Sequence, residues 1–374
     1  MKTLALQLYQ HLSLRSLLLI LLALSFIAAS FSIDNLILEV SVATKGIPDY
    51  SFIYLVRTAM AILSSILVLS AIIQFRQTDN SPVVQAREAN QVANSILSTK
   101  LKAGTISLVL LASVLFLSLF LSDPYQFYLY SEEDGFLEQT SAILLFISCG
   151  IFIYVFLHFW QHPKINNKLY LTTTALFAAG FFLLAMEEVS WFQRALEIET
   201  PVKGFEKNAQ NELNLHNFYT WHAEALYYFG SFSFLILLPF IAQVTQVFQK
   251  IKPVHFFIPS PFVLFVSAVA VAYNYDGWNV IFMQLAFFIT LSILVYYMLT
   301  YRKNKSLSSL SAAMFILILV TQVLYLMYGG NFVRTWDVTE YREFLMPLSF
   351  TIYAIEVLLK LRKNSDPTLK SEKL

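Results

Sequence analysis

Apolar and polar positions alternate on a long scale along this chain, with about ten runs of predominantly hydrophobic residues separated by short polar stretches. The runs lie near 15–35, 53–74, 103–122, 139–159, 169–188, 223–244, 257–273, 279–299, 308–328 and 344–360. Roughly 20 such residues, at about 1.5 Å rise each, cross about 30 Å of hydrocarbon as an α-helix, so the pattern predicts an all-α, polytopic transmembrane helical bundle of about ten spans. The whole of 1–374 reads as a single integral-membrane domain. The first run ends in small residues after a short region containing Lys2 and Arg15; it reads as a retained anchor, with a cleavable signal peptide as the alternative. The seventh run carries Ser260-Pro261 near its start, which predicts a tilted, broken or partly re-entrant crossing.

Basic residues between the runs set an expected orientation. Arg76, Arg87, Lys100 and Lys102, then Lys164 and Lys168, Lys250 and Lys252, and Arg302, Lys303 and Lys305 fall in alternate loops, which the positive-inside rule places in the cytoplasm. Lys360, Arg362 and Lys363 mark 361–374 as a cytoplasmic tail, so both termini are expected inside. The polar segment 75–102 reads as a cytoplasmic connector carrying a short surface helix, and 187–222 as a long outward-facing loop with interfacial elements. A cell inner membrane or plasma membrane is the expected location.

Composition strengthens this picture. Hydrophobic residues make up 57% and charged residues only 13%, about half the charge of a typical soluble domain, which excludes a soluble globule. A formal net charge of +1 supplies no field for nucleic acid. The one cysteine, Cys149, lies in an apolar run between Ser148 and Gly150, so neither an internal disulfide nor a cysteine metal cluster is available.

The scarce polar residues gather in the segments expected to face outward. Glu132, Glu133, Asp134 and Glu138 precede the fourth span; if a helix begins near Gly135, Asp134 and Glu138 share a face where the N-terminal dipole favours carboxylates and a divalent cation could bind. Glu187, Glu188, Ser190, Trp191 and Arg194 end the fifth span. Continued helix would put Glu187, Ser190 or Trp191, and Arg194 on one face, and two acids at a helix carboxyl end call for a nearby cation. Asn214, His216, Asn217, His222 and Glu224 lead into the sixth span, with Asn217 a candidate N-cap and either histidine a metal ligand or proton carrier. Asp337, Glu340 and Glu343 recur at three-residue intervals before the tenth span, a polar ridge if helical. Glu356 lies deeper and is expected to face Arg57 of the second span. A plain structural role as helix caps, local ion pairs or interfacial anchors competes at every one of these places.

No HExxH, GxSxG, Walker or dinucleotide glycine motif is present, and Gly329-Gly330 reads as a flexible exit from the ninth span. The segments EEDGFLE, EEVSWFQR and NELNLHN together resemble a group of bacterial multi-pass membrane proteins, without a characterised function, that carry DGxxE, EExSWxQR and NLHN. The resemblance implies a shared site around these residues, and Phe192 stands where that pattern has a small residue. SEEDGFLEQTS and LHNFYTWHAE also resemble segments of membrane-embedded ceramide-cleaving hydrolases, whose acid, Ser, Asp and His residues surround a metal; the His-x-x-x-His spacing is missing here.

The leading expectation is an enzyme, a hydrolase or transferase acting at the outward face on a membrane lipid or lipid-linked small molecule. Glu187, Glu188, His216 and His222 are the candidate catalytic residues, and Asp134, Glu138, Glu188, His216 and His222 the candidate ligands of a divalent metal ion. Arg194, Trp191, Asn214, Asn217, Glu340 and Glu343 are the candidate substrate contacts, with Arg194 on an anionic headgroup. The alternatives are an ion-coupled transporter using buried acids and broken helices, and a structural subunit whose outer loops dock a protein partner.

Overall fold

The computed structural model describes residues 13–74, 98–132, 135–162, 168–193, 196, 218–245, 248 and 252–365. These form an all-α bundle containing ten helices long and apolar enough to cross a membrane, those of a multi-pass membrane protein. The spans are Leu14–Leu38, Phe52–Gln74, Thr99–Ser122, Phe136–Gln161, Lys168–Glu188, Thr220–Thr245, Pro253–Ala272, Ile281–Thr300, Lys305–Asn331 and Asp337–Lys363, numbered one to ten below. Span one packs on two, two on eight, eight on nine, four on five and ten on four. Spans seven and eight are the most enclosed, so they form the centre of the bundle.

Small and hydroxyl side chains set the helix contacts, as expected where hydrocarbon supplies no hydrophobic drive between helices. Spans one and two meet through buried Ala23, Ser30, Ala61 and Ser64, with the Ser64 hydroxyl donating to the Ala23 carbonyl at 3.3 Å. Spans four and ten meet through Ser148 and Thr351, whose hydroxyl oxygens lie 3.1 Å apart, and Thr351 also donates to the Leu144 carbonyl at 2.9 Å. Pro347 inside span ten has no N–H for the carbonyl of Glu343. Ser141 of span four donates to that carbonyl instead, at 3.3 Å, and so steadies the first turns of span ten.

Span seven is broken where Ser260-Pro261 predicts. A short helix, Lys252–Phe257, stops, and a second, Pro261–Ala268, starts after Ser260 and runs into a 3-10 turn at Val269–Ala272. The break leaves unpaired carbonyls on one side and unpaired N–H groups on the other, an arrangement too costly for hydrocarbon unless side chains complete it. Span ten supplies both. Glu356 accepts from the Ser260 N–H at 3.0 Å and from the Ser260 hydroxyl. Lys360 donates to the carbonyls of Ile258 at 2.8 Å and Phe256 at 3.3 Å, and Tyr353 donates to that of Phe257 at 2.7 Å. Glu356 and Lys360 are themselves paired at 2.7 Å.

This arrangement corrects the expected pairing of Glu356 with Arg57. Arg57 instead grips Asp34 of span one through two contacts of 2.8 Å and donates to the Asn279 carbonyl at 3.0 Å. Four residues separate Glu356 from Lys360, one helical turn, so its counter-charge came from its own helix. Gly329 is buried, and a Cβ there would fall 1.9 Å from the Tyr275 ring, so glycine lets that ring lie against the backbone. Span three begins at Thr99, so Lys100 and Lys102 lie in its first turn and the connector is shorter than 75–102. Its expected surface helix lies outside the described residues.

Replacing Glu356 with Ala removes the acceptor for Ser260 and strands the Lys360 charge. The expected cost is about 3–5 kcal/mol, while Glu356→Gln, which keeps an acceptor, loses less. Unfolding in mild detergent measures both, and equal stability of Glu356→Ala and the parent chain would show that the break is not held this way.

Candidate functional site

At one end of the bundle, the end expected to face outward, the loop between spans one and two folds inward. Lys45 on this loop reaches Asp276, 3.1 Å away in the turn between spans seven and eight, and Glu224 in the first turns of span six. The Gly46 N–H donates to the Asp276 carbonyl at 2.8 Å, and Thr339 of span ten donates to the Asp276 carboxylate at 3.0 Å. One lysine thus ties together three elements, and Asp276 adds span ten through Thr339. Burial pushes the Lys45 ammonium below its ordinary value of 10.5; the neighbouring Asp276 raises it again, Arg342 lowers it further and Glu343 raises it.

Tyr228 of span six is the next member. Its hydroxyl donates to Glu343, and both cations stack on its ring, Lys45 at 5.4 Å and Arg342 at 3.8 Å from the centroid. Arg342 and Glu343 are adjacent on span ten, yet Glu343 turns to the tyrosine while Arg342 approaches Asn274 at 3.4 Å. Glu343 also belongs to an acidic group formed with Glu138 of span four, Glu188 of span five and Glu340 of span ten, close enough for their charges to act on one another. A clamp roofs the same end: Arg334 donates to Asp337 at 2.8 Å and to the Ser131 carbonyl at 2.6 Å, and the short helix Pro124–Tyr130 packs Phe127 onto Tyr341, ring centroids 3.9 Å apart.

Two cavities adjoin this network. A narrow, mainly apolar one runs between spans six, seven, eight and ten; Tyr228, Asn274 and Arg342 line it together with Phe232, Leu235 and Met346. A polar one is bordered by Asp34, Lys45, Asp49, Tyr54, Arg57 and Asn279. Lys45 borders the polar cavity and reaches over Tyr228, which borders the apolar one.

The expected site residues divide into three sets. Glu138, Glu188, Glu340 and Glu343 come together, with Glu187 within electrostatic range of Glu188. Span ten begins at Asp337, so Glu340 and Glu343 form the expected helical ridge. Glu187 accepts from the Trp191 indole at 2.9 Å, and His222 is exposed, its Nε2 3.5 Å from the Ser41 hydroxyl. Asp134, Arg194, Asn214, His216 and Asn217 lie outside the described residues. Among the described residues no group of three or more His, Cys, Asp or Glu side chains has the arrangement to hold a metal ion.

Two local expectations are corrected. The fifth span does not continue as helix through Arg194: it ends at Glu188, and Ser190, Trp191 and Phe192 take left-handed backbone with φ of 45°, 55° and 61°. Left-handed backbone, which glycine adopts freely, costs each of these residues about 1–2 kcal/mol relative to right-handed backbone. Phe192 stacks in parallel on Phe146, centroids 6.3 Å apart. Span six starts at Thr220 with Tyr219 at the cap position, so its cap is not Asn217.

Lys45, Tyr228, Asn274 and Asp276 were not among the expected site residues. One signal for Lys45 was available: a lysine in a loop that charge bias places outside needs a partner to account for it. No protein-family model matches the chain, and no curated protein or solved structure matches it.

Because burial lowers the Lys45 pKa, the unfolded chain holds more protons than the folded one between that lowered value and 10.5. The Lys45 contribution to stability therefore rises with pH in that window. Subtracting the stability profile of Lys45→Met from that of the parent as pH rises towards 10.5 isolates this slope, and a flat difference would show that Asp276 and Glu224 fully offset the burial of the Lys45 ammonium.

Proposed function

We propose that the protein is a membrane-embedded enzyme, a hydrolase or transferase, acting on a lipid or lipid-linked small molecule at the end of the bundle where Lys45, Tyr228 and Glu343 meet. The observation that carries this reading is the junction itself: a half-buried acid in contact with a buried phenol, and a buried ammonium over the ring of that phenol, at the polar end of an apolar cavity. Such a junction suits an amphiphile, whose tail lies along Phe232, Leu235 and Met346 while its reacting bond faces Tyr228 and Glu343. Glu343 is the group that accepts or returns a proton, through the Tyr228 hydroxyl or directly. Lys45, held by Glu224 and Asp276, stabilises charge developing on the reacting oxygen, and the polar cavity beside it gives water or a second substrate a route in. Glu138, Glu188 and Glu340 assist as further proton carriers.

A divalent metal belongs to the same proposal, with Asp134, Glu138, Glu188, His216 and His222 as its candidate ligands. So does kinship with the bacterial proteins carrying DGxxE, EExSWxQR and NLHN, an inner-membrane or plasma-membrane location and cytoplasmic termini. The second reading, an ion-coupled transporter, is favoured by the broken span seven. Its proposed charges are taken up locally, however: Arg57 is bound to Asp34 and Glu356 to Lys360.

Incubating the purified chain with a total membrane-lipid extract and profiling the lipids by mass spectrometry tests the enzyme reading. One lipid class should be consumed with a matching product, and Glu343→Gln should slow this by roughly 10²–10⁴-fold with the fold retained. An unchanged lipid profile together with potential-driven solute uptake would replace it with the transporter.

A further inference from the structure

Arg342 is buried, with 3% of its surface exposed, and lines the apolar cavity. Its Nη1 has two long contacts, 3.4 Å to Asn274 Oδ1 and 3.7 Å to Met283 Sδ. Its Nε and Nη2 have no hydrogen-bond partner among the described residues. These two nitrogens form one edge of the guanidinium, and their N–H bonds run parallel, the spacing that matches two oxygens of a carboxylate or phosphate. A buried arginine with a whole edge unsatisfied is costly, and the acids around it do not relieve it. Asp276 and Glu224 are taken by Lys45, and Glu343 accepts from Tyr228. Two cations, Arg342 and Lys45, therefore face one tyrosine ring at the head of a cavity whose remaining walls are mostly apolar.

We propose that the Nε–Nη2 edge of Arg342 is the recognition site for an oxyanion head group, a carboxylate or a phosphate, carried on an alkyl or prenyl chain that occupies the cavity between spans six, seven, eight and ten. The assignment rests on the proposed function only in calling this ligand the substrate; the binding site stands on Arg342 and its cavity. Both candidate head groups offer the same paired oxygens, and both come from membrane amphiphiles, either free fatty acids or phosphorylated lipids.

The test uses the full chain in neutral maltoside micelles and three probes that share one tail: laurate, dodecyl phosphate and dodecanol. Binding is read by thermal stabilisation against probe mole fraction. At least one anionic probe should bind about tenfold or more tightly than dodecanol, and which of the two is preferred names the source. Arg342→Lys keeps the charge but loses the paired edge, and should reduce that preference about tenfold. Met346→Trp, which fills the cavity and leaves Arg342 in place, should weaken all three probes. Equal binding of alcohol and anions by the parent chain overturns the proposal, as does an unaltered preference in Arg342→Lys. If Arg342→Lys does not fold, the parent-chain comparison and Met346→Trp decide. A chain that prefers the anionic probes but converts no lipid keeps the site and loses the enzyme reading; one that converts lipid without that preference keeps the enzyme and loses the site.

Discussion

Hydrocarbon offers a broken helix no water, and the fold is organised around that constraint at Ser260. The carbonyls that end the first half of span seven and the N–H that begins the second half are completed by Lys360, Tyr353 and Glu356, all from one helix. Each side chain has the sign its helix end requires, a cation and a phenol at the carbonyl end and a carboxylate at the amino end. Span ten is thereby held against span seven at one side of the bundle, while Ser148 and Thr351 hold it to span four. With its axis so constrained, the first turns of span ten carry Thr339, Arg342 and Glu343 into contact with Asp276, Asn274 and Tyr228.

At that end the same economy of charge operates with different partners. Asp276 and Glu224 would be unfavourable neighbours without Lys45, and a buried Lys45 would be unfavourable without them. The loop between spans one and two is drawn inward by this mutual need, and it closes the polar cavity against the tyrosine that borders the apolar one. Arg342 is the member of the network whose hydrogen-bonding capacity is least used. A ligand that brings two oxygens on an apolar chain satisfies it and fills the cavity at the same time, so recognition of head and tail would be a single event.

The acids at the ends of spans four, five and ten were readable as a group because charge is scarce in this chain and its placement stands out. Glu138, Glu188, Glu340 and Glu343 do converge. Their cationic complement was much less readable. Lys45 looks like an ordinary loop residue, and Arg342, beside Glu340 and Glu343, looks like a local partner for them. Arg342 and Glu343 instead meet the same tyrosine in different ways, Glu343 accepting from the Tyr228 hydroxyl while Arg342 stacks on its ring. The run past Glu188 failed for another reason: periodicity predicts helix from side-chain spacing, whereas the backbone there turns left-handed at three successive residues.

Hydropathy along the chain was sufficient for the ten spans, for the break at Ser260-Pro261 and for the clustering of polar residues at the segments between spans, because each follows from local composition and from the fixed length of a membrane crossing. Which charge meets which did not follow. Glu356 with Lys360, Arg57 with Asp34, and Lys45 with Glu224 and Asp276 depend on how the helices rotate and pack, and residues 179 positions apart, as Lys45 and Glu224 are, carry no mark in one sequence of their contact. Pairing in the membrane is enforced by the energy of a desolvated charge, and that energy selects among partners only once the fold has brought them within reach.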